Sequence, residues 1–298
     1  MSRKKDIPPP YSLIQKNKTS IVLRDNCKKL LLAMGIDRPE FFLKHSGEKS
    51  DEYYGRSALR TIALPEPGKG RVVIRHYRRG GKVQKFITDL YWGSSRPLRE
   101  LWVGYQAMEK GIPTAEILAV CHTKVFWRFH RGDLVSREIM NGKDLANYLK
   151  GLPQPLSKEN ILQKRKVIET VGNLVRKMHD GGIFHGDLNL RNIILQISRP
   201  LTIKGYIIDF DKSFTKSTLS ENMRIRNLLR LNRSAEKFKR EGLPLTRSDT
   251  LRFLLAYYQN PPNFKTLLKN LDRRYKRHMR YHRLGENILS LFKKPFSS

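Results

Sequence analysis

Hydrophobic positions along the chain change their spacing once, and the change divides it. From about Tyr53 to residue 138 they come in short runs bounded by polar or turn-forming residues. Val72-Val73-Ile74 is a β-branched run suited to a sheet, and Ala115–Val120, Val125–Phe129 and Leu134–Glu138 read as further strands. One helix interrupts them. Pro97 suits a first helical turn. Leu98, Leu101, Tyr105 and Met108 then recur at helical spacing, and Gly111 and Pro113 end the stretch. Past residue 139 the helical period takes over: Ile161, Ile168, Val171, Val175 and Met178 mark one face, closed by Gly181-Gly182. Ile193–Leu195 and Gly205–Phe210 read as two short strands, and from about Asn222 the chain is helical and strongly basic. Residues 1–45 read as a basic, proline-containing extension with one short helix around Asn26–Met34. The pattern predicts an α+β fold in three parts: an extension over 1–45, a sheet-rich lobe over 46–138 and a helical lobe over 139–298.

Charge changes this picture more than composition does. A 39% hydrophobic content is enough for a core, but 59 Lys and Arg against 27 Asp and Glu give a net charge of +32. Solubility does not require such an excess; it implies a polyanionic partner, with nucleic acid and anionic lipid head groups as the two candidates. Cys27 and Cys121 make no disulfide framework, which suggests a reducing compartment. Apolar runs such as Tyr206–Phe210 fall far short of the roughly 18 residues that span a bilayer. The basic start, Met1-Ser2-Arg3-Lys4-Lys5, leads into prolines at 8–10 and not into an apolar segment, so no secretory signal is expected. A cytoplasmic protein with at most peripheral membrane contact is the expectation.

The chemistry is concentrated at the junction of helix and short strands. His185-Gly186-Asp187-Leu188-Asn189-Leu190-Arg191-Asn192, followed past a hairpin by Ile208-Asp209-Phe210-Asp211, resembles the catalytic and metal loops of protein-kinase-like phosphotransferases. Phosphoryl transfer from ATP needs a carboxylate that orients the acceptor hydroxyl and takes its proton. It also needs oxygen ligands that hold Mg²⁺ against the phosphates. Asp187 is the candidate base, and Asn192 and Asp209 are the candidate metal ligands. Asn189 stands where many kinases have a Lys. Its amide can hydrogen-bond near the nucleotide but brings no charge, so charge stabilisation must partly come from elsewhere. His185 is expected to brace the loop. Arg75, at the end of the Val73-Ile74 strand, stands where kinases have a phosphate-binding Lys, and Glu100 is its natural carboxylate partner, although it lies off the Leu98/Leu101/Tyr105 face. Tyr54-Gly55-Arg56-Ser57 is the candidate phosphate-covering turn, through Gly55 and Arg56, without a full G-x-G-x-x-G spacing. Glu138-Ile139, before Gly142, is placed like a hinge between lobes that could meet adenine. Together these features predict a bilobal protein-kinase-like fold.

Side by side, these segments resemble the lipopolysaccharide-core kinases, and within them the 3-deoxy-D-manno-octulosonic acid (Kdo) kinases. The resemblance rests on Val73-Ile74-Arg75-His76-Tyr77-Arg78-Arg79-Gly80-Gly81, on Tyr91-Trp92-Gly93 through Arg96 with Arg99-Glu100, and on the two loops. Asn227-Leu228-Leu229-Arg230-Leu231-Asn232-Arg233-Ser234 adds to it. It covers roughly residues 53–260; Asp211, in place of the glycine of D-F-G, also fits. The resemblance implies ATP-dependent phosphorylation of a sugar hydroxyl in the lipopolysaccharide inner core, with the 4-hydroxyl of Kdo on lipid A as the expected acceptor and ATP and Mg²⁺ as cofactors. It gives the charge a destination: an anionic glycolipid at the cytoplasmic face of the inner membrane, where a basic residue near the surface contributes about 1 kcal/mol. The densest run is Lys265–Arg283, and the Arg78-Arg79-Gly80-Gly81 turn is a second candidate. A core heptose kinase is the nearest rival reading. A protein kinase lacks support because no A-P-E segment follows Asp209. A nucleic-acid-binding pseudokinase would fit the charge but not the intact Asp187, Asn192 and Asp209 set, and no zinc, helix-turn-helix or RNA-recognition pattern is present. Neither a nucleic acid nor an obligate protein partner is expected.

Overall fold

A computed structural model of the chain describes residues 7–38, 40–42, 59–66, 70–77, 91–92, 95–126, 129–198 and 202–274. The first part is a seven-stranded antiparallel sheet in the order β1-β2-β6-β7-β4-β3, with β5 also on β7. Its strands are β1 (Tyr11–Lys16), β2 (Thr19–Arg24), β3 (Leu59–Ala63), β4 (Arg71–His76), β5 (Tyr91–Trp92), β6 (Ile117–Phe126) and β7 (Phe129–Arg137). Both faces are covered, and alternate residues of β2 divide between them. Ile21 and Leu23 join Val72, Ile74, Leu118 and Val135 under α1 (Lys28–Ala33). Val22 instead joins Tyr11, Tyr77, Val120, Leu134 and Leu101, and Leu101 belongs to α2 (Arg96–Glu109).

Two sequence expectations change here. Part of the 1–45 extension is built into the sheet: β1 and β2 form a hairpin, and β2 pairs with β6 from Thr19↔Thr123 to Leu23↔Ala119. The hairpin turns at Asn17, whose φ of 50° asparagine tolerates better than most residues. The short helix expected around Asn26–Met34 is α1. Val125–Phe129 is not a strand of its own: Val125 and Phe126 end β6 and Phe129 begins β7, and the two strands pair from Ile117↔Ser136 to Phe126↔Phe129.

The second part begins at β8 (Gly142–Asp144) and α3 (Leu145–Lys150), whose N-cap Asp144 accepts from Asn147 N. Its spine is α4 (Lys158–Asp180), capped by Ser157 and carrying a buried stripe of Val167, Val171, Val175 and Met178. Then come β9 (Ile183–Phe184), β10 (Ile193–Ser198), β11 (Thr202–Ile207) and β12 (Phe214–Thr215). β10 lies between β11 and β8, and β12 pairs with β9. β11 ends at Ile207, so Ile208–Phe210 leave the sheet as a loop. Helices α5 (Glu221–Arg240) and α6 (Arg247–Tyr258) close the lobe, and α6 begins with a capping box between Thr246 and Asp249. Residues 264–274 are mostly helical. The lobe's core runs from α4 to Ile193, Leu195, Ile207, Phe210 and Tyr257, and it includes Val103 and Ala107 of α2. That helix therefore packs against both lobes and ties their geometry together.

Candidate active site

The catalytic loop is a compact turn whose backbone is held from three sides. Asn189 caps a single 3-10 turn, Leu190–Asn192: its Oδ1 accepts from Arg191 N (2.9 Å) and Asn192 N (3.2 Å). Its Nδ2 donates to Asp187 O (3.0 Å) and lies 3.3 Å from Asp187 Oδ2. Both ends of the amide thus serve the loop, and Asn189 shapes the surroundings of Asp187. Asn192 Nδ2 donates to Asp187 O (2.8 Å), which leaves its side-chain oxygen as the end that can face a cation. His185 is fully buried; its Nε2 donates to Ile208 O (3.0 Å) and its Nδ1 accepts from Asp187 N (3.0 Å). Only the neutral ring fits that pair of bonds, and burial holds the His185 pKa below its ordinary value. Asp187 itself stands open, with 64% of its side chain exposed.

Helix α5 grips this loop along one stripe. Asn227 Oδ1 accepts from His185 N (2.9 Å) and its Nδ2 donates to His185 O (2.9 Å). Arg230 Nη1 donates to Gly186 O, and Ser234 Oγ accepts from Leu190 N (3.2 Å). Positions 227, 230 and 234 fall on one helix face, which gives the Asn227–Ser234 run a structural reason. Behind Asn227, His179 Nε2 donates to the same Oδ1 (3.1 Å), and the His179 ring is held at its other nitrogen by Tyr257 Oη (2.7 Å).

Gly186 replaces the arginine of H-R-D because the metal loop crosses it. A Cβ at 186 would lie 2.6 Å from Asp211 O and 2.6 Å from Lys212 C, both backbone atoms. Gly186 N donates to Ser213 Oγ (2.9 Å), and Ile208 N donates to Asn192 O (3.0 Å), so the two loops are joined twice. Phe210 is buried and packs on the His185 ring at 5.4 Å between centroids. Asp209 adopts a left-handed backbone, φ 65°, an uncommon state for a non-glycine residue that aspartate tolerates.

From the first lobe, Arg75 reaches across. Its Nη1 donates to Asp209 Oδ1 (2.7 Å), while its Nη2 donates to Tyr77 Oη (2.7 Å) and to Glu100. The planar fork serves two carboxylates at once, which a Lys could not match with the same geometry. Burial raises the Asp209 carboxyl, but the charge and hydrogen bond of Arg75 outweigh it, and the pKa lies below the usual range. Glu100 is 4% exposed despite its place off the expected apolar face. Arg75 and the Tyr77 hydroxyl, which donates to it, make that burial tolerable. Burial foremost pushes Glu100 up to about 7, with Arg75 opposing. Burial likewise raises the Tyr77 hydroxyl far above its ordinary value, so it remains a donor. A second arginine, Arg96, binds Asp211 through Nε (3.1 Å) and Nη2, and it lies 5.3 Å from the Tyr77 ring.

The structure therefore brings Asp187, Asn189, Asn192, Asp209, Arg75 and Glu100 into one constellation. Glu138 lies between β7 and β8, at the junction of the lobes: its N–H donates to Arg71 O (2.9 Å) and its carboxylate lies 3.5 Å from Arg71 Nε, so it also finishes the β4–β7 pairing. Gly55 and Arg56, and the Arg78–Gly81 turn, lie outside the described residues. Of the Lys265–Arg283 run, only the part to Arg274 is described. Tyr77, the Arg96–Asp211 pair and the α5 stripe were not read as site features in the sequence. The only sequence signal for them was their presence in the family-like runs. The oxygens of Asn192 and Asp209 suit Mg²⁺, a hard ion that takes most of its ligands from phosphates and water. Among the described residues, no group of three or more His, Cys, Asp or Glu could hold a metal.

Comparison with known proteins bears on family and fold. The profile described as "Lipopolysaccharide kinase (Kdo/WaaP) family" matches residues 41–257. A protein named 3-deoxy-D-manno-octulosonic acid kinase from Vibrio cholerae serotype O1 is 29% identical over 203 residues, 67% of this chain and 78% of that protein. One of the same name from Haemophilus influenzae is 31% identical over 230 residues, 74% and 90% of the two chains. Among solved structures, "WaaP in complex with acyl carrier protein" superposes with a TM-score of 0.57 at 21% identity. It covers 86% of this chain and 98% of that one, a likeness that shows the bilobal protein-kinase-like fold.

Proposed function

This chain belongs to the lipopolysaccharide kinase (Kdo/WaaP) family, and from that premise we propose that it moves the γ-phosphoryl group of ATP to the 4-hydroxyl of a Kdo residue on lipid A. The observation that carries the reading is the bridge from Arg75 to Asp209 and Glu100, set beside a solvent-open Asp187. It supports reading Arg75 as the phosphate-binding cation, Asp209 as a metal-binding carboxylate and the exposed Asp187 as the base.

Asp187 accepts the proton of the acceptor hydroxyl as its oxygen bonds to the γ-phosphorus, while the bond from that phosphorus to the ADP oxygen breaks. Asn189 and Asn192 hold the Asp187 backbone, and Asn189 also steers its carboxylate. Asn192 and Asp209 are the residues that would hold Mg²⁺, which when bound neutralises phosphate charge. Arg75 binds phosphate oxygens and keeps Asp209 ionised. Tyr77 and Glu100 fix the plane of its guanidinium.

The basic surface supports a peripheral stay at an anionic glycolipid membrane. Among the described residues no helix is long and apolar enough to cross a bilayer. Lys265, Lys269, Arg273 and Arg274 are exposed on the helical 264–274 segment. Mass spectrometry and linkage analysis of Kdo-lipid A after incubation with protein and Mg²⁺-ATP tests the reading. One added phosphate on the Kdo 4-hydroxyl is expected, and it should vanish with Asp187→Ala. Phosphate appearing only on a heptosylated core would reassign the acceptor to heptose. No transfer to either, with salt-sensitive RNA binding, would overturn the proposal.

A further inference from the structure

The catalytic loop lacks the cation that kinases carry two residues after the base: position 189 is an asparagine whose amide is consumed by the loop. The other nearby arginines face other partners, and Arg75, the proposed phosphate cation, reaches the site from the side of Asp209. Arg75 serves Glu100, Tyr77 and Asp209, Arg96 serves Asp211, and Arg191 stands 5.3 Å from the Phe238 ring. Arg230 is different. It comes from α5, far along the chain, yet its Nη1 lies 3.7 Å from Asp187 Oδ1. Its bond to Gly186 O uses one end of the guanidinium and fixes its direction. The side chain remains 36% exposed beside an Asp187 that is 64% exposed, so both open onto the same solvent space.

We propose that Arg230 is a catalytic residue that supplies the missing positive charge at the base and contacts the transferring phosphoryl group. The proposal rests on the phosphotransferase reading of this site. An arginine suits the role. It stays charged, its fork can hold a backbone carbonyl with one donor and offer others to phosphate oxygens, and a preorganised cation needs no reorganisation as charge shifts in the transition state. The placement also explains the Asn227-x-x-Arg230-x-x-x-Ser234 stripe: two members hold the loop through hydrogen bonds alone, and the member between them brings charge to the base.

Two substitutions separate charge from bracing. Arg230→Gln keeps a donor for Gly186 O but no charge, whereas Arg230→Lys keeps the charge. With Mg²⁺-ATP and Kdo-lipid A, Arg230→Gln should lose roughly 10²-fold in kcat, the scale for removing one such group. Its acceptor KM should move little, and Arg230→Lys should recover most of the loss. ATP hydrolysis without acceptor should follow the same order, because the phosphoryl group is common to both reactions. A Gln variant as active as the wild type would overturn the proposal and make Arg230 a brace. So would a raised acceptor KM at unchanged kcat, which would assign Arg230 to acceptor binding. If the wild type phosphorylates no lipopolysaccharide acceptor, the proposed acceptor fails. The hydrolysis rates of the two variants still decide the role of Arg230.

Discussion

Restoring one atom of the usual kinase motif should damage this enzyme. Gly186→Ala adds a Cβ that would sit 2.6 Å from both Asp211 O and Lys212 C and 2.7 Å from Lys212 O, against about 3.4 Å for an ordinary contact. The three clashing atoms are backbone, so no flexible side chain can yield, and the loops must separate by about 0.8 Å. Overpacking of this kind costs roughly 1–3 kcal/mol. At about 2–4 °C per kcal/mol for a chain of this class, the melting temperature should fall by roughly 2–12 °C. Catalysis should suffer more. Asp187 follows residue 186 directly and Asp209 lies in the loop that is pushed, so their separation changes by nearly the same amount. A displacement of about 1 Å in a reacting constellation can cost about 10²-fold in rate. The assay pairs thermal unfolding with kcat/KM for phosphoryl transfer to Kdo-lipid A. Gly151→Ala is the control, because its Cβ would meet its nearest atoms at 3.4 and 3.7 Å at an α3 C-cap with φ −79°. It should change stability by less than about 0.5 kcal/mol. A Gly186→Ala protein with unfolding temperature and kcat/KM both within error of the wild type would refute the argument that the two loops pack through position 186.

Arg75→Lys should lower kcat/KM for ATP roughly 5- to 100-fold, the equivalent of about 1–3 kcal/mol, because one ammonium cannot reproduce bonds made from two nitrogens to Asp209 and Glu100. Steady-state kinetics at varied ATP checks this, and unchanged kcat/KM would show that charge alone suffices. His179 provides a pH test. Burial holds its pKa down to about 4 against 6.5 for the free ring, so the unfolded chain binds the extra proton in that window. Its contribution to stability is therefore present above pH 6.5 and is lost as pH falls toward 4, at about 1.4 kcal/mol per unit. His122, also held to about 4 by burial, adds a second proton of the same sign. Glu100, raised to about 7, acts oppositely between pH 4.5 and 7. In denaturant unfolding between pH 4.5 and 6.5, His179→Gln should flatten the slope by one proton; an unaltered slope would mean that His179 is charged in the fold.

The readable part of the site was what lies close together in sequence. Asp187, Asn189 and Asn192 occupy one turn, and their spacing alone placed the base and a metal ligand near each other. Asp209 was legible because a single hairpin, β10–β11, returns the chain to the loop, as the Ile208 N to Asn192 O bond records. Glu100 was legible as the partner of Arg75, but its burial was not. Hydrophobic period cannot announce a buried carboxylate, whose place depends on an arginine and a tyrosine from another element. For Glu138 the sequence showed a place between the lobes, but not that its N–H continues the pairing of β4 with β7, because such pairing depends on a distant strand.

The sequence by itself determined the division into a sheet-rich and a helical lobe, the catalytic and metal loops, and the excess of positive charge, because each is encoded by local period, spacing or composition. Tertiary structure alone decided that residues 11–24 join the sheet, that Gly186 is required by a crossing backbone, and that α5 brings Asn227, Arg230 and Ser234 onto the loop. These contacts join segments more than twenty residues apart. No local propensity selects such partners; they are fixed only when the packing of whole elements leaves a buried donor, acceptor or gap that one particular distant residue can fill.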